Sequence, residues 1–368
     1  MKRRLFLKST AGLSVGAVSA TALSAPAYAT GKRKLKMVTT WPKKFPGLGT
    51  NAEDFARDID RATDGRIHIK VYAGNELVPP LGAFDAVRGG KADIYHGAEY
   101  YWQGKHRAFS FFTAIPFGLT AMEHSQWLNF GGGQKLWDDL SARFNIKGLA
   151  CCNSGVQMGG WYKKEINHLE DFNGLRIRMP GLGGEVLKRL GATPVTKAGS
   201  EIYLALSQGN IDAAEWVGPW NDLAFGFQNI TKFYYTSAFQ EPGACIAAGF
   251  NLDVWNSISK SDQAIIEAIA GNNYQKSLAE FNAHNATSLK VLVEKHNVQL
   301  KTFSDDILVA LQRTSDEVMQ DIALTDDLTK RIYNSYMDTR RNAMIWRKIG
   351  DEPYLRSRRL YENFGKKI

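Results

Sequence analysis

The chain is poor in the side chains from which most active sites are built. Its 368 residues include three cysteines, Cys151, Cys152 and Cys245, too few for a disulfide framework or an iron–sulfur centre. Adjacent cysteines rarely bridge each other because the ring they close is strained. That leaves Cys152–Cys245 as a possible disulfide, with buried thiols as the alternative. The seven histidines show no H-E-x-x-H or comparable metal spacing, so packing and surface roles are their default. Cys245 has no paired histidine motif to make it a nucleophile. Past residue 29 there is no G-x-G-x-x-G, no phosphate-binding G-x-x-x-x-G-K-[ST] and no G-x-S-x-G. Gly131-Gly132-Gly133 is followed by no G-K-[ST], so it reads as a helix-ending turn. Long hydrophobic runs are missing as well: the stretch around residues 13–18 is thinned by Ser and Gly, too weak for a stable membrane span.

What is present is ordinary globular material: 44% hydrophobic, 11% aromatic and 23% charged residues, with 34 Gly and 11 Pro. The length suits two lobes, each with its own core. The head Lys2-Arg3-Arg4-Leu5-Phe6-Leu7-Lys8, the weak apolar stretch and the small-x-small Ala27-Tyr28-Ala29 form a leader over residues 1–29. It resembles a twin-arginine export signal, the alternative being an ordinary secretory leader. The mature chain then starts near Thr30 and is periplasmic. Four cations and no acid lie in the leader, so +5 of the formal +9 remains afterwards. Acids and bases are interspersed between basic clusters at Lys32-Arg33-Lys34 and Arg356, Arg358 and Arg359. That is a solvated surface, not a nucleic-acid track.

Residues 35–40 alternate as a strand ending at Trp41-Pro42, residues 51–64 place Phe55, Ile59 and Ala62 on one helix face, and residues 67–72 alternate again. This is a βαβ unit and predicts a parallel sheet covered by helices. An internal repeat extends the plan: Ala86-Val87 before Gly90-Lys91-Ala92-Asp93, and Ala205-Leu206 before Gly209-Asn210-Ile211-Asp212. Each reads as helix, Gly cap, turn and an Asp entering a strand. The fold class is therefore α/β with two similar lobes. We expect lobe I over residues 30–152 plus about 243–260, and lobe II over 153–242. Residues 261–368 supply a long helix and further C-terminal helices packing across both lobes. A helix running from 261 to about 297 exceeds what one lobe can cover, so it spans both lobes or packs on another subunit.

Gln157-Met158-Gly159-Gly160-Trp161, the strand ending in Arg178 after Asn173-Gly174, and Gly209-Asn210-Ile211-Asp212-Ala213-Ala214-Glu215-Trp216 together resemble the substrate-binding proteins of TRAP transporters. The likeness is strongest to the pyruvate-type 2-oxo-acid binders, and it covers nearly all of the mature chain. It implies a two-lobe periplasmic-binding-protein fold with a hinge and a long C-terminal helix spanning the lobes. It also implies that the chain captures a small organic anion and passes it to a membrane permease, the TRAP permease. The long helix resembles those exchanged between subunits, implying a helix-swapped homodimer.

Arg supplies the planar, permanently charged fork that a small carboxylate needs. Arg178 closes a predicted strand, where α/β folds place ligands. Arg176 shares its sheet face, and on sequence alone either could be a surface ion-pair residue; the resemblance selects Arg178 as anchor. The resemblance also implies a bound cation, sodium, with Gln157, Glu215 and the main-chain carbonyl of Trp216 as ligands. Glu241, in Gln240-Glu241-Pro242, adds a second carboxylate that favours calcium, or else is a hinge-surface residue. Tyr101 and Trp216 are the expected apolar walls of the substrate site, while Trp41, Tyr100, Trp102, Phe117 and Trp220 read as core. No second poised group accompanies Arg178 and Glu215, so binding is favoured over an exported enzyme.

Overall fold

The computed structural model describes residues 32–236 and 238–365; the leader and its cleavage position lie outside the described residues. In chain order the strands are β1 (Arg33–Thr39), β2 (Ile67–Tyr72), β3 (Ile94–Gly97), β4 (Ile146–Asn153), β5 (Gly160–Tyr162), β6 (Arg176–Arg178), β7 (Thr193–Val195), β8 (Ala213–Ala214), β9 (Phe233–Thr236), β10 (Cys245–Asn251) and β11 (Gln299–Thr302). They form two sheets, ordered β2-β1-β3-β10-β4 and β11-β9-β5-β8-β6-β7. In the first, β1 runs parallel to β2 and β3, and β10 runs antiparallel to β3 and β4. The helix Leu48–Ala62 completes the expected βαβ unit and buries Phe55 and Ile59 against that sheet. In the second sheet, β6 lies between parallel β7 and β8. Pro194 is tolerated in β7 because β7 is an edge strand.

The internal repeat is also a structural repeat. Gly90 and Gly209 cap their helices at φ 74° and φ 76°, the left-handed region that glycine enters without steric cost. In the first copy the amide of Lys91 donates to the Ala86 carbonyl at 2.8 Å, and in the second Asn210 donates to Ala205 at 2.9 Å. The two aspartates then perform the same task. Asp93 donates its amide to the Lys36 carbonyl and accepts the Lys36 amide on Oδ2, at 2.9 and 2.7 Å. Asp212 does the same with Arg176, at 2.7 and 3.2 Å. Each clamp sets the next strand in register beside its parallel neighbour.

The chain passes between the sheets after β4 and returns before β10. The two crossings lie side by side, the Ser154 amide donating to the Ala244 carbonyl at 3.1 Å. Asn153 ties them to a long helix: its amide donates to Ser277 Oγ at 2.9 Å and its Nδ2 to the Tyr274 hydroxyl at 2.8 Å. That helix, Lys260–His296, starts at Ser259, whose side chain accepts the Asp262 amide, and stops at Asn297 with φ 53°. Its 37 residues reach about 55 Å at the usual rise. Ile266, Ala270, Tyr274, Ser277, Phe281, Ser288 and Leu292 form one buried stripe. The helix packs on β4 and helix Leu48–Ala62 of the first lobe and on helix Pro219–Phe225 of the second. Of the two readings open from sequence, it therefore spans both lobes of its own chain.

Beyond it the structure bears out the further C-terminal helices and adds one strand that periodicity did not show. Strand β11 joins the edge of the second sheet beside β9. Helix Asp305–Ala323 then packs on helix Gly181–Arg189 of the second lobe, and helix Asp327–Ile349 on the first. The last helix, Asp351–Gly365, packs chiefly against its predecessor, and its side chains through Leu360 are exposed. It does not lie across the lobes as the remainder of the C-terminal segment does. The three cysteines are free and buried. Among the described residues no helix is long and apolar enough to cross a membrane.

One buried acid organises the loop after β8. Asp222 Oδ2 accepts from Trp161 Nε1 at 2.9 Å and from the Tyr234 hydroxyl at 2.7 Å, and Oδ1 accepts the amides of Val217 and Gly218, both at 3.2 Å. Asp222→Leu leaves four buried donors without an acceptor, and we expect it to cost about 3 kcal/mol or more in chemical denaturation. A loss below about 1 kcal/mol would show that water replaces these bonds.

Candidate ligand- and cation-binding site

Arg178 is the last residue of β6, and the parallel pairing of β6 with β8 sets it opposite Ala214, one residue before Glu215. The Glu215 amide donates to the Arg178 carbonyl at 2.9 Å, locking the two segments together. Both side chains are fully buried and form an ion pair, Arg178 Nη1 to Glu215 Oε2 at 2.8 Å. Nη1 also donates to the Glu215 carbonyl at 2.6 Å, and Nε to the Lys197 carbonyl at 3.3 Å. Nη2 makes only a 3.4 Å contact with the Tyr101 hydroxyl, so this edge of the fork keeps hydrogen-bonding capacity. Tyr101 belongs to the first lobe, in the turn Glu99–Trp102 after β3, so this contact bridges the lobes. Trp216 lies against the guanidinium, with Cζ 5.0 Å from its ring. Arg176, two residues earlier, is exposed and pairs with Asp212 at 2.6 Å.

Gln157 and Glu241 arrive from the two crossings. The Gln157 amide donates to the Glu241 carbonyl at 3.2 Å, and Gln157 Nε2 donates to Ser154 Oγ at 3.0 Å. Ser154 is itself held at the crossing, so hinge geometry positions Gln157. Glu241 is buried and within reach of the Tyr100 hydroxyl and the Gln157 amide. It is not a hinge-surface residue. Three buried oxygens are left without a hydrogen-bond donor: Gln157 Oε1, Glu215 Oε1 and Glu241 Oε2. Orphaned buried acceptors are costly and ask for a partner.

The electrostatics point the same way. Burial pushes the Glu215 carboxyl well above its ordinary range, the nearby Glu241 charge adds to this, and Arg178 opposes it. Glu241 is pushed up to about 7, again chiefly by burial and against the pull of Arg178. Burial also works against the Arg178 charge, but Tyr101, Glu215, Tyr100 and Glu241 outweigh it, so the guanidinium stays charged. One guanidinium cannot balance two buried carboxylates. The donor set is oxygen only, two carboxylates and one amide, with no cluster of three or more His, Cys, Asp or Glu among the described residues. Such a set fits a hard cation.

Two residues read as core also lie beside the candidate site. Trp41, read as core, is indeed buried but stands edge-on to Trp216, centroids 6.1 Å apart, and lies 6.4 Å from Tyr101. Its indole Nε1 donates to His96 Nδ1 at 2.8 Å. Tyr100, also read as core, reaches Glu241. The Trp-Pro that closes β1 was the only signal for Trp41, and it is as common in cores as in clefts.

Residues 37–326 match the family model DctP, bacterial extracellular solute-binding protein, family 7. A monocarboxylate 2-oxoacid-binding periplasmic protein of Nostoc sp. is 36% identical over 96% of this chain and 98% of its own. A TRAP periplasmic solute-binding protein from Pseudoalteromonas atlantica, solved with sodium and pyruvate, is 36% identical with TM-score 0.86, covering 89% of this chain and 99% of that one. A TRAP solute-binding protein from Bordetella bronchiseptica, solved as a dimer with copurified calcium and picolinate, is 31% identical with TM-score 0.89, covering 91% of this chain and 100% of that one. The chain belongs to the DctP family of solute-binding proteins that serve TRAP transporters.

Proposed function

We propose that this protein captures a small 2-oxo monocarboxylate of the pyruvate type in the periplasm and delivers it to the membrane subunits of a TRAP permease. The observation that carries this reading is the juxtaposition of a charged, fully buried Arg178 with three unpartnered oxygens on Gln157, Glu215 and Glu241. Arg178 Nη2 and the Tyr101 hydroxyl, one from each lobe, are the donors for the ligand carboxylate. Trp216 walls the site from the second lobe. Gln157, Glu215, Glu241 and the Trp216 carbonyl are the residues to hold a cation. Bound there, a hard cation neutralises the carboxylates and offers a chelating centre to two ligand oxygens on adjacent carbons. Picolinate and pyruvate, the ligands of the two solved relatives, share this arrangement: a carboxylate with a second donor atom on the neighbouring carbon.

Sodium is the cation the resemblance leads us to expect, and Glu241 favours calcium. With both carboxylates ionised, Arg178, a divalent ion and a monocarboxylate sum to neutrality, whereas sodium leaves one net negative charge buried. A 2-hydroxy acid such as lactate offers the same chelate, so it is the second ligand class. The ligand shifts the open–closed equilibrium only through contacts made by both lobes, which here are Tyr101 and Arg178. The leader fits export by the twin-arginine route.

The homodimer belongs to the same reading, with a different helix exchanged. The helix Lys260–His296 is used up on its own chain, whereas Asp351–Gly365 leaves Tyr354, Leu355 and Leu360 exposed, continuing from exposed Trp346 and Ile349. We expect removal of residues 351–368 to convert a dimer to a monomer in light scattering, with ligand binding retained. A full-length monomer would contradict the exchange.

Calorimetry with a panel of 2-oxo and 2-hydroxy acids tests the ligand class, and turnover of any of them would contradict a pure binding role. Arg178→Lys keeps the buried charge beside Glu215 but loses the planar fork. We expect it to melt near the wild-type temperature and to bind pyruvate about 100-fold more weakly. Binding within about threefold of wild type would remove Arg178 as the anchor.

A further inference from the structure

Trp41 and Trp216 face each other across the cleft, yet their indoles are held differently. Trp216 Nε1 is buried without an acceptor, so no hydrogen bond of its own orients this ring, which lies against the Arg178 guanidinium, Phe45 and Phe225. Trp41 Nε1 has an acceptor, and the acceptor is a side chain. His96 Nδ1 lies 2.8 Å from it and His96 Nε2 lies 2.9 Å from Asn51 Oδ1. An indole N–H can only donate, so Nδ1 accepts, the imidazole proton sits on Nε2, and Nε2 donates to Asn51. Burial pushes the His96 imidazole down to about 3, which keeps it neutral and Nδ1 free to accept. His96 lies on β3, level with Thr39 of β1, and Asn51 lies on helix Leu48–Ala62. Three elements of one lobe therefore converge on the orientation of a single ring at the carboxyl end of β1, where α/β folds place ligands.

The backbone of Trp41 is pinned separately, its carbonyl accepting from the Gly74 amide at 2.8 Å and from Thr39 Oγ1 at 3.1 Å. The loop need not move for the ring to turn; the bond to His96 opposes that turn together with the packing of the ring against Trp216 and Tyr101. We propose that His96 is a positioning residue: by accepting the Trp41 indole hydrogen bond, it fixes Trp41 as the first-lobe wall of the ligand site and limits the length of 2-oxo acid that the closed cleft accepts. This rests on the 2-oxo-acid reading above. Discrimination then comes from a first-lobe wall whose ring is oriented by a hydrogen bond.

The test compares wild type with His96→Leu, His96→Gln, Trp41→Phe and the double variant His96→Leu/Trp41→Phe. Pyruvate and 4-methyl-2-oxopentanoate are the titrants, with melting temperatures recorded for each protein. Wild type is expected to prefer pyruvate. His96→Leu and Trp41→Phe should each shrink that preference by about tenfold, the scale of pocket discrimination between apolar groups. The double variant should shrink it no further than either single change, because both remove the same bond. His96→Gln keeps an acceptor for the indole and should restore the preference to within about threefold. A His96→Leu protein that melts like wild type and keeps its preference overturns the proposal, as does a double variant in which the two losses multiply. If wild type binds neither acid, the functional reading fails, and the positioning claim is decided by the Trp41 indole N–H in NMR. Loss of its exchange protection in His96→Leu supports the claim, and unchanged protection overturns it.

Discussion

Two buried carboxylates beside one buried guanidinium are the constraint around which this molecule is built. Burying an unbalanced charge costs several kcal/mol, and the cost falls only when partners of the opposite sign stand at fixed places. Arg178 meets one carboxylate at 2.8 Å. One oxygen of the second, Glu241 Oε2, and the amide oxygen of Gln157 wait beside it without a donor. Everything that positions these atoms is therefore as important as the atoms. The β6–β8 pairing sets Arg178 against Glu215, and the doubled crossing brings Gln157 to Glu241. The long helix pins that crossing through Asn153. With both carboxylates ionised such a site has a deficit of positive charge, which on the proposed function a cation and an anion together make good.

The same constraint explains the division of labour between the lobes. The second lobe supplies Arg178, Glu215 and Trp216 from the carboxyl ends of its central strands, and the crossings supply Gln157 and Glu241. The first lobe supplies Tyr101 and the wall of Trp41. Both lobes contribute to the candidate site, and the Tyr101–Arg178 contact joins them.

Much of this was legible in the sequence, for reasons that can be named. The paired glycine turns at Gly90 and Gly209 announced two lobes on one plan, because a left-handed cap followed by an acid is a local signal and needs no tertiary context. Arg178 and Arg176 could not be separated by periodicity: two residues apart on one strand, they share a face and differ only in depth. Arg176 ends exposed against Asp212, and Arg178 ends at the carboxyl end of the strand, inside the cleft. Glu241 was ambiguous for the same reason, since a Gln-Glu-Pro turn reads alike at a surface and at a buried crossing. His96 and Trp41 were missed because a histidine in an apolar strand and a tryptophan before proline are both usual core residues. The short strands β8 and β11 carry too few residues to show a period at all. The final helix carries apolar residues, Tyr354, Leu355 and Leu360, that stay exposed among the described residues, and its own periodicity does not say what covers them.

The central claim is that cation and carboxylate ligand share one buried, charge-deficient site, and linkage tests it most directly. Pyruvate affinity is measured by calorimetry on exhaustively chelated, sodium-free protein and again at graded calcium and sodium, and cation affinity is measured with and without pyruvate. The account predicts that cation strengthens pyruvate binding by about tenfold or more, and that pyruvate strengthens cation binding by the same factor. Pyruvate binding equally tight in chelated, cation-free protein would contradict it.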